Sequence, residues 1–186
     1  MRALVAYESM YGNTRQVAEA IAEGLTAGLG PDGKVSVCSL DLTTQPLQEE
    51  LDLVVVGGPT HVHGMSRPRS RAAAAQQAAA EHLPMDASAP GPGLREWLGR
   101  VPLPERHCRS AAFDTRVDAP ALVTGRAAPK IQKLLRRRGL LPLLPPESFL
   151  VDRRSRLRDG ELDRAREWGG RLARVLRDAS ASAVKR

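Results

Sequence analysis

The residues in this chain best placed to do chemistry are Glu8-Ser9-Met10-Tyr11-Gly12-Asn13-Thr14. They follow an apolar run, Ala3-Leu4-Val5-Ala6-Tyr7, and lead into Val17, Ala18, Ile21, Ala22 and Leu25 at helical spacing. A buried strand, a hydroxyl-rich turn and a helix N-terminus in that order make an anion cradle. The first-turn N–H groups lack partners within the helix, and the helix dipole favours negative charge there. Ser9 and Thr14 add hydroxyls, and Gly12 lets the backbone approach a phosphate closely. The loop holds no Lys, so the triphosphate-and-magnesium pattern fails and a terminal monophosphate fits better. An ordinary strand-to-helix turn capped by Asn13 or Thr14 is the plainer alternative.

Two further stretches carry polar groups at strand ends. Thr60-His61-Val62-His63-Gly64-Met65-Ser66 follows Leu53-Val54-Val55-Val56-Gly57-Gly58-Pro59, and Asp114-Thr115-Arg116 follows Ser110-Ala111-Ala112-Phe113. His61 and His63 lack a third metal ligand of matching kind, and Asp114 would need an uncommon geometry, so no metal site is expected. Proton donation near neutrality and ordinary loop hydrogen bonding both stay open for them. Cys108 follows His107, but without the Gly-flanked elbow of a nucleophile. With Cys38 it makes no disulfide framework, and each reads as a small buried hydrophobe in a reducing interior.

The elements that must position these residues alternate. Strands are expected at Ala3–Tyr7, Lys34–Leu40 (near a sheet edge), Leu53–Val56, Ser110–Phe113 and Ser148–Val151. Helices are expected at Thr14–Ala27, Pro46–Leu51, Arg71–Glu81, Gly93–Leu98, Ala127–Arg138 and from Gly160 to about Asp178. Gly57-Gly58-Pro59 should end the third strand abruptly. The Ala/Pro-rich segment 67–92 reads as an insertion, a short exposed helix with a flexible loop near the site. The pattern predicts one domain over 1–178, an α/β three-layer sandwich whose five-stranded parallel sheet runs 2-1-3-4-5, and a flexible tail at 179–186. In such sheets ligands bind beyond the carboxyl ends of the strands, where strands one and three part.

A length of 186 residues suits a single domain. The net charge is +7, with the 28 Lys and Arg largely in the second half. Aromatics are only 3% and do not alternate with basic residues, so nucleic acid is disfavoured as a partner. No apolar run approaches the ~18 residues that cross a bilayer, and the N-terminus opens on a strand pattern rather than a signal peptide. No membrane association and a cytoplasmic location are the expectations.

With the strand-turn-helix pattern and the strand order in place, the chain resembles the flavodoxin family. Glu-Ser-Met-Tyr-Gly-Asn-Thr looks like its phosphate loop for flavin mononucleotide (FMN), and Val-Val-Gly-Gly-Pro-Thr at 55–60 like its second flavin loop. The resemblance implies that Ser9, Met10, Tyr11, Gly12, Asn13 and Thr14 hold the phosphate. Pro59, Thr60 and His61 would run beside the ribityl chain and ring, with Phe113, Asp114 and Thr115 flanking the ring from the far side. Electron-carrying members usually sandwich the ring between aromatics and are acidic. This chain offers only Tyr11 and Trp97 nearby, reads Trp97 as core, and is basic. A cation beside the pyrimidine end, from Arg116 or a protonated His61 or His63, would favour two-electron chemistry.

The expectation is therefore an FMN-binding redox protein, doing electron transfer or reductase chemistry with a small-molecule or protein partner. Whether it is an enzyme, an FMN-dependent oxidoreductase, stays open, as does a homodimer. The alternative is an interaction module that binds flavin weakly or not at all. A third reading is an electron-transfer protein docking acidic partners through its arginines. A phosphoacceptor receiver is excluded, because Val56-Gly57-Gly58-Pro59 offers no carboxylate.

Overall fold

The computed structural model describes residues 1–40, 50–61, 64–89, 91–101 and 108–184. The helix expected over Pro46 to Leu51 falls largely outside them, as do His63 and His107. Two continuous apolar runs form the middle of the sheet, because a strand covered on both faces has no polar side to keep. These are β1 (Arg2–Tyr7) and β3 (Leu53–His61), paired in parallel from Ala3–Leu53 to Tyr7–Gly57. β2 (Lys34–Ser39) lies outside β1 as a largely exposed edge. On the other side β5 (Arg109–Val117) pairs with β3 from Leu53–Arg109 to Pro59–Thr115. The far edge is shared by two short strands stacked along β5. β6 (Leu141–Pro142) meets its start, and β7 (Glu147–Val151) meets Phe113 to Val117. The path β2-β1-β3-β5-β7 is the expected order 2-1-3-4-5, with β6 and the two-residue β4 (Gly64–Met65) added.

Alternation along the strands sends side chains into two cores. On one face Val5, Val55, Ala111 and Phe113 meet α1 (Asn13–Leu29) and α6 (Glu161–Val184). On the other, Leu4, Val54, Val56 and Ala112 meet α3 (Leu94–Arg100) and α5 (Ala128–Arg137). Trp97 is 5% exposed and belongs to this second core, as its helical spacing implied. α2 (Pro68–Glu81) lies over the cradle, where Ala74 and Ala89 pack against Met10. No helix among the described residues is long and apolar enough to cross a membrane.

Three boundaries differ from the sequence reading. β3 does not stop at Gly57-Gly58-Pro59 but runs to His61 and folds back onto β4, Thr60 facing Met65. The glycines are there for packing: a Cβ on Gly57 would lie 2.1 Å from the Phe113 ring, and one on Gly58 2.3 Å from Leu94. Pro59 costs no hydrogen bond, because its nitrogen faces the side of β3 where β1 has already ended. β5 continues through Asp114-Thr115-Arg116, because β7 supplies a partner for that stretch. α6 passes Asp178 and reaches Val184, through an Ala-rich stretch of high helix propensity.

α1 and α6 cross closely enough that glycine is required. A Cβ on Gly24 would sit 2.0 Å from the Arg166 carbonyl oxygen, and one on Gly169 2.2 Å from that of Ile21. Gly169→Ala should therefore push the helices apart and destabilise the fold by about 1–3 kcal/mol. Gly99→Ala, in α3 with open space around it, should be neutral or stabilising by up to about 1 kcal/mol. Urea denaturation of both variants checks the contrast; equal stability of Gly169→Ala and the parent would refute the close crossing.

Candidate functional site

The β1–α1 turn is built as the sequence demanded. Gly12 occupies the N-cap of α1 at φ 85°, a left-handed conformation that suits glycine, and no side chain caps the helix. The Ser9 hydroxyl accepts from Gly12 N–H at 3.1 Å, shaping the turn from within. Thr14 faces across the sheet edge, its Oγ1 2.8 Å from Thr115 Oγ1. That contact joins the first turn of α1 to the end of β5.

A cavity of about 410 Å³ opens beside this turn, within the roughly 300–1,000 Å³ usual for small-molecule sites. Met10, Tyr11, Asn13 and Thr14 form one side, and Pro59, Thr60 and His61 another. Thr115, Arg116 and Val117 enter from β5. Two more walls complete it, the first from the segment expected near the site. α2 presents Ser70, Ala73, Ala74 and Gln77, with the Tyr11 hydroxyl donating to the Ala74 carbonyl at 3.0 Å. The segment after β7 adds Val151, Arg153 and Ser155. The spacing 70, 73, 74, 77 is a helical stripe that could have found the first wall. Nothing local marked the second, where Ser155 adopts φ 56° and its carbonyl accepts from Asn13 Nδ2 at 2.6 Å.

Not every expected residue reaches the cavity. Ser9 and Gly12 shape it from behind. Phe113 is fully buried in the core shared by α1 and α6, edge-on to Phe149 at 6.2 Å and Trp168 at 6.4 Å. It shares a face of β5 with Thr115 but lies two residues deeper, packed in the core under α6, so it does not line the cavity. Asp114 points the other way, and its Oδ2 accepts from Ala128 N–H at 2.7 Å at the start of α5. Thr60 Oγ1 accepts from neighbouring Ala127 N–H at 2.9 Å. Asp114 is thus a helix-capping group rather than a ring contact.

The charges are unlike those read from the sequence. Burial and the nearby Arg71 guanidinium push the His61 pKa below its usual value, so the ring is neutral at pH 7. It supplies no cation, but its Nε2 is buried without a hydrogen-bond partner among the described residues. Arg116 is the permanent cation. Its Nη1 donates to the carbonyls of Val117 and Ala119, at 3.2 and 2.6 Å, and to Thr124 Oγ1 at 3.3 Å. Its Nε is also buried and unpartnered. Two orphaned nitrogens in residues lining one polar-edged cavity fit a ligand with hydrogen-bonding ring edges, such as a flavin.

Burial raises the carboxyl pKa of Asp114 despite the opposing hydrogen bonds from Ala128 and Ser148, and raises that of Glu8 similarly. Each therefore holds its proton more tightly folded than unfolded. Their contribution to stability is whole below the unfolded pKa and lost as pH rises through the folded one. Asp114→Asn keeps the acceptor for Ala128 and removes the charge. It should match or exceed the parent by about 1 kcal/mol at pH 7, the difference vanishing below about pH 4. Urea melts across pH 3–8 read this out; a variant less stable at pH 7 than at pH 3, relative to the parent, would reverse the assignment.

Comparison with known proteins agrees with this fold. The sequence model of the family described as Flavodoxin matches residues 5–89, which include the cradle and β3. No curated protein sequence matches the chain. Among solved structures, a flavodoxin from the domain Archaea superposes with a TM-score of 0.63 at 22% identity, covering 95% of this chain and 99% of that one. Flavodoxin 2 from Bacillus cereus gives 0.62 at 16%, covering 94% and 99%. Rubredoxin oxygen:oxidoreductase from Desulfovibrio gigas gives 0.58 at 15%, covering 95% of this chain but 36% of its own. A chain that superposes over nearly its whole length on flavodoxins, and matches the Flavodoxin sequence model over residues 5–89, has the flavodoxin-like fold.

Proposed function

We propose that this chain binds flavin mononucleotide non-covalently in the 410 Å³ cavity and works as a redox protein. The observation that carries the reading is the α1 N-terminus: Gly12 in the left-handed region, no side-chain cap, and Asn13 and Thr14 facing the cavity. A bound flavin supplies reversible transfer of one or two electrons. Asn13, Thr14 and the first-turn amides would receive its phosphate. Pro59, Thr60 and His61 would line the ribityl chain and ring edge, and Thr115 and Arg116 the opposite edge. The neutral His61 ring can donate or accept at Nε2 without adding charge. Arg116 is held by the carbonyls of its own loop and keeps a positive charge beside the ring site. That charge favours a reduced anion over the neutral form and supports two-electron reductase chemistry over one-electron carriage.

One observation favours the rival reading of an interaction module that binds flavin weakly. Among the described residues Tyr11 is the only Phe, Tyr or Trp in the cavity lining, and α2 contributes Ala73 and Ala74 there. An absorbance spectrum of the purified protein, taken before and after adding FMN and desalting, separates the two. Retained flavin bands support the cofactor; none, with no binding on addition, supports the module.

Loss of the cradle hydroxyl in Thr14→Val should weaken FMN about tenfold and leave riboflavin, which lacks the phosphate, unchanged. Equal losses for both ligands would place the phosphate elsewhere. Arg116→Gln should lower the two-electron midpoint potential by about 30 mV, and Arg116→Lys should retain most of it. An unchanged potential in Arg116→Gln would remove Arg116 from the ring site.

A further inference from the structure

A second cavity, larger than the one described above, adjoins it. A cleft of about 870 Å³ lies on the α6 side of the cradle and meets the flavin cavity at Tyr11, Asn13 and Ser155. The Asn13–Ser155 hydrogen bond pins the loop after β7 to the cradle, so the two spaces adjoin at the phosphate end. The floor is apolar, from Leu83, Pro84, Leu157 and Leu162. Four arginines, Arg154, Arg156, Arg158 and Arg166, stand against two aspartates, Asp159 and Asp163.

The arginines are not equally committed. Arg156 pairs with Asp152 at 2.8 Å, and Arg166 with Glu23 at 2.6 Å and Asp163 at 2.9 Å. Arg158 reaches Asp118 only at 3.4 Å, and Arg154 has no ion pair among the described residues. Such partly exposed pairs hold their arginines weakly, so a more highly charged anion can recruit them. A cleft with an apolar floor, excess guanidinium and a carboxylate at its rim matches a specific chemistry. Phosphates suit the arginines, a planar base suits the floor and a guanidinium face, and an exocyclic amine or ribose hydroxyl can donate to Asp159.

We propose that this cleft binds a nucleoside phosphate next to the flavin cavity. The ligand has two sources with the same chemistry: the adenylate half of a flavin adenine dinucleotide (FAD) whose flavin occupies the cavity, or a separate adenine nucleotide. The first source rests on the flavin reading above; the second does not.

The test is to titrate the full chain with FMN, FAD and ADP by calorimetry, alongside the double variant Arg154→Gln, Arg158→Gln. FAD binding about tenfold tighter than FMN, with the advantage lost in the variant and FMN affinity kept, assigns the cleft to the cofactor's own adenylate. ADP binding to the FMN-loaded chain without displacing FMN, and about tenfold weaker in the variant, assigns it to a separate nucleotide. FMN binding with neither an FAD advantage nor ADP binding overturns the proposal and leaves the flavin reading intact. If FMN itself fails to bind, the flavin reading falls, and ADP binding alone then decides the cleft.

Discussion

The upper edge of the molecule depends on one local constraint: α1 must begin directly above the end of β1. Gly12 makes the abrupt change of direction by taking φ 85°, where a side chain would be strained. Ser9 closes the turn from inside, and Thr14 reaches across β3 to meet Thr115 at 2.8 Å. The β1–β3–β5 ladder sets the spacing of these strands, and this pair of hydroxyls ties the first turn of α1 to the end of β5 above it. The direction of α1 is settled far from that turn, at the glycine crossing with α6. The cradle is aimed by packing on one face of the sheet and lined by groups from the strand ends.

Buried acids are spent away from the cavity. Glu8 accepts from Leu94 N–H at the start of α3, and Asp114 accepts from Ala128 N–H at the start of α5. Each satisfies amides that would otherwise be orphaned, and each stabilises a helix dipole at the cost of desolvating a carboxyl group. With His61 neutral and Arg116 fixed, the cavity keeps a net positive lining, with no carboxylate among the described residues that line it. An anionic ligand meets little repulsion there.

The segment 67–92 gains its role by contact. Tyr11 bonds to the Ala74 carbonyl, and Asp86 N–H donates to the Met10 carbonyl at 2.8 Å, with the Asp86 carboxylate 3.4 Å from Arg15. The segment is therefore tied to the cradle at Ala74 and at Asp86, and α2 forms a wall of the cavity.

The amino-acid sequence by itself determined the strand order, the two-core sandwich and the turn at Ser9–Thr14. Those follow from periodicity and turn chemistry carried by neighbouring residues, which act whatever the rest of the chain does. It also named Thr60, His61 and Thr115, which line the cavity. Which way Phe113 and Asp114 point was decided only by tertiary structure, because a strand extended by pairing with β7 inverts the meaning of each successive residue. The neutrality of His61 and the wall built by α2 likewise required distant partners. Burial, unlike periodicity, is a property of what packs against a residue, and no local pattern records it.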